Sequence, residues 1–138
     1  MPGSLTASAV ADAYQQYMVG AGDALIAMVA DDFYDHVSGQ SGREIWSVVQ
    51  GWLDESFSDR TCEVIAALGE GDRIVVWLVV RGVHVGSGFP WLRGRPPSGQ
   101  EVAWAQVHMF RVADGSLREH WAVRDDLRVL EAIDTETS

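Results

Sequence analysis

Apolar positions recur at three- and four-residue spacing through the first third of the chain and at two-residue spacing through most of the rest. In "TASAVADAYQQYMVGAG" Val10, Tyr14, Tyr17 and Met18 fall on one helical face, with Thr6 or Ser8 as cap and Gly20 and Gly22 as terminators. "DALIAMVADDFYDHV" predicts a second helix, capped by Asp23, with Ile26, Val29 and Phe33 as its buried stripe. Past "SGQSG", Ser41 and Glu44 fit a capping box for a third helix whose apolar face is Ile45, Val48, Val49, Trp52 and Leu53, closed by Phe57. "TCEVIAALGEGDRIVVWLVVRGVHVG" predicts a hairpin turning near "GEGD". Its second strand is apolar on both faces (Ile74, Val76, Leu78 and Val80 against Val75, Trp77 and Val79), which predicts a central strand covered on both sides. The Gly/Pro-rich "SGFPWLRGRPPSGQ" is a long connection. "EVAWAQVHMFRV" and "LREHWAVR" flank an Asp-Gly turn, a strong hairpin signal. "DDLRVLEAI" predicts a last short helix capped by Asp126, and the tail "DTETS" is expected to fray. Helices followed by antiparallel strands define an α+β class, with a curved sheet on helices leaving a cavity between them.

Strand alternation sorts the candidate chemistry. Trp104, Gln106, His108 and Phe110 share one face of the penultimate strand, an apolar wall with one amide and one imidazole, as a pocket is built. On the last strand Leu117, Glu119 and Trp121 form one column, so Glu119 is expected inward beside Trp121, where burial would raise its basicity. His120 is expected on the opposite face, in a dimer contact. Asp125 keeps the inward parity if the strand stays regular. His36 follows the second helix and His84 ends the central strand; the four histidines lack metal-ligand spacing, and no metal is expected. No G-x-S-x-G, P-loop or G-x-G-x-x-G occurs, which favours chemistry without a cofactor.

The length of 138 residues suits a single domain over 1–138 with an ordered core of about 6–133, and 47% hydrophobic residues suit a soluble globule. A formal charge of −10 opposes binding to nucleic acid or to anionic membranes. No apolar run reaches membrane-span length and no secretory signal is read at the start, so a cytoplasmic location is expected. Cys62 is alone, which rules out an internal disulfide.

"FYDH", "GREIWSVVQGWLDESFSD", "GEGDRIVVWLVVRGVHVG" and "RPPSGQEVAWAQVHMFRVADGSLREHWAVRDDL" together resemble the SnoaL-like polyketide cyclase (ester cyclase) family of the NTF2-like superfamily. The resemblance spans roughly Tyr14 to Leu130. It implies a cone-shaped α+β barrel, helices packed on a strongly curved sheet, a homodimer through that sheet, and a pocket for a hydrophobic or aromatic molecule. It also implies cofactor-free intramolecular ring closure or isomerisation. Many members place an acid directly after the Trp of "EHW"; here Ala122 stands there, leaving Asp125 or Glu119 as the base. His108, with Gln106, would steady an enolate oxygen, while Trp104, Trp121, Phe110 and Tyr14 would hold a flat substrate. His36 and His84 would lie at the pocket mouth or wall, and Trp91 on a covering loop. Epoxide hydrolysis or epoxide-opening cyclisation, and non-catalytic small-molecule binding, are the alternatives; Ala122 supports the last.

Overall fold

The computed structural model describes residues 5–135, so the last three residues of the tail, where fraying is expected, lie outside them. Helix α1 (Ala7–Met18) starts where the Thr6 hydroxyl accepts the Ala9 N–H at 3.0 Å, and it buries Val10, Tyr14, Tyr17 and Met18 as its spacing predicts. Helix α2 (Asp23–Met28) is shorter than expected. The chain turns extended at Val29 and runs on as strand β1 (Val29–Asp35), which corrects the helical reading of "VADDFYD". The i, i+3, i+4 spacing of Ile26, Val29 and Phe33 suits a helix. However, the edge of the last strand needs a partner, and tertiary pairing decides between two periods that local propensity leaves close. In the strand, Phe33 and Asp35 point inward and Tyr34 outward.

Strand β2 (Gln40–Ser41) pairs with β1 and contains Ser41, so the predicted capping box does not form. Helix α3 (Glu44–Ser56) follows with Arg43 at its N-cap and no side-chain cap. It buries Trp46 and Leu53, while Val48, placed on the apolar face from sequence, is 45% exposed. Strands β3 (Phe57–Glu70) and β4 (Arg73–His84) form the expected hairpin, with Gly71 in the left-handed region at the turn. Strands β5 (Glu101–Ala113) and β6 (Ser116–Arg124) pair through Asp114 and Gly115, both at positive φ as a tight two-residue turn requires. Helix α4 (Asp126–Ile133) closes the described chain. The sheet order is β2-β1-β6-β5-β4-β3, antiparallel except for the β1/β6 pair. Its inner face packs on α1 and α3 around Phe57, Val76, Leu78, Trp104 and Phe110. Strand β4 is interior to the sheet, but within the chain only its Ile74–Val80 face is covered; Trp77 is 46% exposed, against the expectation of cover on both sides. No described helix is long and apolar enough to cross a membrane.

One side chain ties helices and sheet together. Strand β3 bulges between Ser58 and Thr61, with Asp59 at φ 52°, and the bulge turns Arg60 inward. Its guanidinium donates to the carbonyls of Met18 at 2.7 Å and Leu53 at 3.0 Å, at the C-terminal ends of α1 and α3, to that of Phe57 at 2.7 Å, and to Asp54 at 2.6 Å. Gly82 on β4 makes room: a Cβ there would sit 3.0 Å from the Ser58 carbonyl and 3.3 Å from the Arg60 stem. Replacing Arg60 by Met orphans buried carbonyls, so urea unfolding should show a loss of about 3 kcal/mol. Lys, which lacks the planar fork, should recover only a minor part of it.

Candidate active site

The last two strands do not keep regular alternation to the end. Arg111 pairs with Glu119 but Val112 with Leu117, so Arg118 is an extra residue, a β-bulge. One such residue inverts every side chain beyond it. Leu117 still faces the core, but from there on His120, Ala122 and Arg124 point inward, and Glu119 and Trp121 point out. This corrects the predicted column of Leu117, Glu119 and Trp121, and it moves His120 from the outer face to the middle of the interior.

His120 is 6% exposed and its Nδ1 lies 2.8 Å from Asp35 Oδ1. Asp35 arrives from the parallel neighbour, directly opposite His120 in register. Its second oxygen accepts from the Ser38 hydroxyl at 2.7 Å and the Ser38 N–H at 3.2 Å, and its first accepts the Val37 N–H at 3.3 Å. On the other side His120 Nε2 lies 2.8 Å from His108 Nδ1, and His108 Nε2 lies 2.7 Å from Gln106 Oε1. The two imidazoles stack at 5.1 Å between centroids, and the Tyr14 hydroxyl is 3.1 Å from His108 Nδ1. The result is one hydrogen-bonded line, Asp35–His120–His108–Gln106, built from β1, β6 and β5.

Burial opposes charge along this line. It pushes the Asp35 carboxyl up, but the bonds from His120, Ser38 and Val37 outweigh it and hold the group below the usual carboxylate range. Burial, with His120 and Arg124 nearby, drives His108 well below the ordinary imidazole value. Burial also lowers His120, although Asp35 pulls it back up. The Tyr14 hydroxyl is pushed well up by burial and stays an O–H. Ionised Asp35 therefore accepts a hydrogen bond from the Nδ1–H of neutral His120, whose Nε2 accepts from His108 Nδ1–H. The lone pair then rests on His108 Nε2 and is met once the Gln106 amide turns its N–H there; with one added proton at Nε2 the Gln106 oxygen, 2.7 Å away, accepts from it. By turning its amide, Gln106 serves both states.

His108, His120 and Gln106 form the polar end of an inner cavity of about 50 Å³, otherwise walled by Tyr17, Ile45, Trp46, Val49, Leu53, Phe89 and Trp104. That volume holds little more than a reacting group. Past Asp35, Val37, Ile45, Phe89 and Arg124 it meets a mouth cleft of about 620 Å³ lined by Trp52, Pro90 and Trp91, large enough for a ring system.

Of the residues expected from sequence, Tyr14, Trp104, Gln106 and His108 line the inner cavity and Trp91 lines the cleft. Trp91 is no free lid: its ring packs on Trp104 at 5.2 Å, and Phe89 and Leu92 beside it are buried. Phe110 is fully buried behind His120 and supports the site without lining it. The others lie elsewhere. Asp125 and Asp126 exchange the expected roles: Asp125 caps α4, accepting the Arg128 N–H at 3.2 Å, and Asp126 accepts from Trp104 Nε1 at 2.8 Å. Glu119 is bound by Arg111 and by His36 on the outer face, and these bonds hold its pKa down rather than up. Trp121 stacks on His36 there, at 4.4 Å and 7°. His84 is buried at the root of the 85–100 connection, where Ser98 bonds its Nδ1 at 2.8 Å. Sequence reasoning missed Asp35, His120, Trp46 and Arg124. An extended reading of "FYDH" would have put Asp35 beside Phe33; nothing in the sequence marks the bulge at Arg118. Among the described residues no three His, Cys, Asp or Glu side chains converge to hold a metal ion.

A helix-lined cone closed by a curved sheet, with a polar line at the bottom of an apolar pocket, defines the NTF2-like class of α+β barrels. The model of the SnoaL-like polyketide cyclase family matches residues 7–133, and the chain belongs to that family. The nogalonic acid methyl ester cyclase of Streptomyces nogalater is 31% identical over 81 residues, 58% of this chain and 58% of that protein; the alignment thus covers little more than half of the relative's length. Among solved structures, a SnoaL-like protein of Jannaschia sp. CCS1 superposes with a TM-score of 0.77 at 28% identity, covering 99% of this chain and 97% of that one. IdmH of Streptomyces antibioticus superposes with a TM-score of 0.75 at 26% identity, covering 95% and 100%.

Because both imidazoles are held neutral, the unfolded chain binds more protons than the fold below about pH 6.5. Unfolding free energy should therefore fall as pH drops through that value, by about 1.4 kcal/mol per unit for each imidazole kept neutral. Asp35, with its lowered pKa, adds a loss of the same sign only below about pH 4. Urea titrations at pH 7.5, 6.0 and 5.0 test this; an equal slope in His120→Asn would show that the pair is not its source.

Proposed function

We propose that this chain catalyses cofactor-independent acid/base ring closure of a polyketide-like substrate, with Asp35, His120 and His108 handling the proton. The observation that carries the reading is the unbroken line of hydrogen bonds from Asp35 to His108, ending in an apolar cavity. His108 Nε2 takes a proton from a carbon alpha to a carbonyl. The His108/His120 pair takes up the charge, with its positive end beside the Asp35 carboxylate. The Gln106 amide and the Tyr14 hydroxyl donate to the developing enolate oxygen. The enolate carbon then attacks a second carbonyl of the same molecule, a C–C bond forms, and the alkoxide takes the proton back from His108. Mass is unchanged and no co-reactant is needed. Asp35 and His120 thus take the part expected of Asp125 or Glu119, and Ala122 opposite His108 leaves space where many relatives carry an acid.

Supplying nogalonic acid methyl ester, the compound in the relative's name, and nogalonic acid should give ring-closed isomers of unchanged mass for at least one of them, separable by chromatography. Asp35→Asn and His108→Gln should each lower kcat by about 10²- to 10⁴-fold with the circular dichroism spectrum retained. Wild-type rates in both variants would sink the assignment.

The outer sheet face supports a homodimer. Trp77, Val107 and Val123 stand in one cross-strand row, 46%, 39% and 76% exposed, beside the row of Val75, Met109 and Trp121. A contiguous apolar band of this kind is what a second copy would cover about a twofold axis. Sedimentation equilibrium should give twice the chain mass for wild type and the single mass for Val123→Glu; a monomeric wild type at tens of micromolar contradicts the dimer.

A further inference from the structure

The polar line accounts for the bottom of the pocket but not for Arg124. This residue ends β6 on the inward row of His120 and Ala122 and stands directly opposite Gln106 in register. It lines both the inner cavity and the mouth cleft, so it sits at the neck between them. Among the described residues it is the one Arg or Lys that lines either space. Its guanidinium lies over the Trp104 ring, 5.6 Å from the centroid. Among its hydrogen bonds to described residues there is one, a long 3.4 Å bond from Nη2 to Asp126. Asp126 is itself engaged by Trp104 Nε1 at 2.8 Å. Four of the five guanidinium N–H groups thus remain for another acceptor. Asp35, the carboxylate that shares this lining, cannot serve, because its oxygens already take four hydrogen bonds.

A half-buried guanidinium held over an indole is a fork without its matching anion. Deeper in, the buried Trp46 Nε1 and one end of the Gln106 amide also lack partners, and orphaned buried donors are costly unless a ligand meets them. With a chain charge of −10 the protein offers an anion no long-range attraction, so preference for an acid has to arise at this guanidinium.

We propose that Arg124 is a specificity determinant that selects a substrate carrying a free carboxylate, held as a two-pronged pair at the neck of the pocket, with an oxygen of the same molecule reaching the Trp46 indole N–H. This rests on the small-molecule reading of the pocket given above, and it names the chemical class of what enters. A neutral ester fills the same cleft but leaves the guanidinium unneutralised.

The test uses two flat probes that differ by one charge and one methyl group, 3-hydroxy-2-naphthoate and its methyl ester, titrated calorimetrically into the full chain. Wild type should bind the acid about 10- to 100-fold more tightly than the ester, the range of a charge-assisted pair. Arg124→Gln should lose that preference while binding the ester within about twofold of wild type, and Arg124→Lys should restore part of it. Retained ester binding shows that the pocket of the Gln variant is intact. Equal affinity of wild type for both probes, an equal loss for both in Arg124→Gln, or no binding of the acid overturns the proposal. Neither probe carries a proton alpha to a carbonyl on a saturated carbon, so the result is independent of turnover. An acid preference with no ring-closing activity would remove the catalytic reading and keep this one.

Discussion

The hydrogen bond from His120 to Asp35 is the constraint around which the interior is arranged. A carboxylate this deep is tolerated because four donors satisfy it, and it keeps its charge because those bonds outweigh the cost of burial. In return it fixes the His120 tautomer, which fixes the direction of the bond to His108, which leaves the remaining lone pair on His108 Nε2, beside the Gln106 amide. The chain must place Asp35 directly across from His120 for this to work. The parallel pairing of β1 with β6 puts it there, and the end of α2 after six residues lets the chain extend into β1.

The same arrangement explains why the pocket can be apolar and still reactive. Asp35 and both imidazoles are partnered along the line, so the aromatic walls hold His120 and His108 neutral without stranding a charge. Trp46 is central to this packing. It stands 5.1 Å from His120 and 5.5 Å from both Tyr17 and Phe33, and the Tyr17 hydroxyl donates to its carbonyl, coupling α3 to α1 at the depth of the imidazoles. Arg60 does the corresponding work at the C-terminal end of α3.

Much of this was legible in the sequence, because period and turn chemistry are local properties. The buried faces of α1, β4 and β5, the β3/β4 turn and the Asp114-Gly115 turn follow from spacing and from residue types that accept positive φ. Trp104, Gln106 and His108 followed from strand alternation, and the burial of Tyr14 from the helical spacing of α1. The failures were of two physical kinds. "VADDFYD" carries a helical and an extended pattern at once, and pairing with β6 chooses between them. The bulge at Arg118 leaves no mark in composition, yet one extra residue sent Glu119 and Trp121 outward and His120 inward. Parity arguments hold between bulges and not across them. The Asp125/Asp126 exchange is a smaller case: either could cap α4, and the reach of the Trp104 N–H to Asp126 decides.

The parallel edge strand has a consequence for how the protein loses its site. Asp35 stands on a seven-residue strand backed only by the two-residue β2, whereas His108 and His120 lie on the long β5/β6 hairpin. The proton line therefore spans two regions of unequal local stability. An opening that peels β1 from the sheet uncouples the carboxylate from the imidazoles while the hairpin and its aromatic wall stay folded. Amide exchange along β1 would then report on the integrity of the reactive centre at free energies below that of global unfolding.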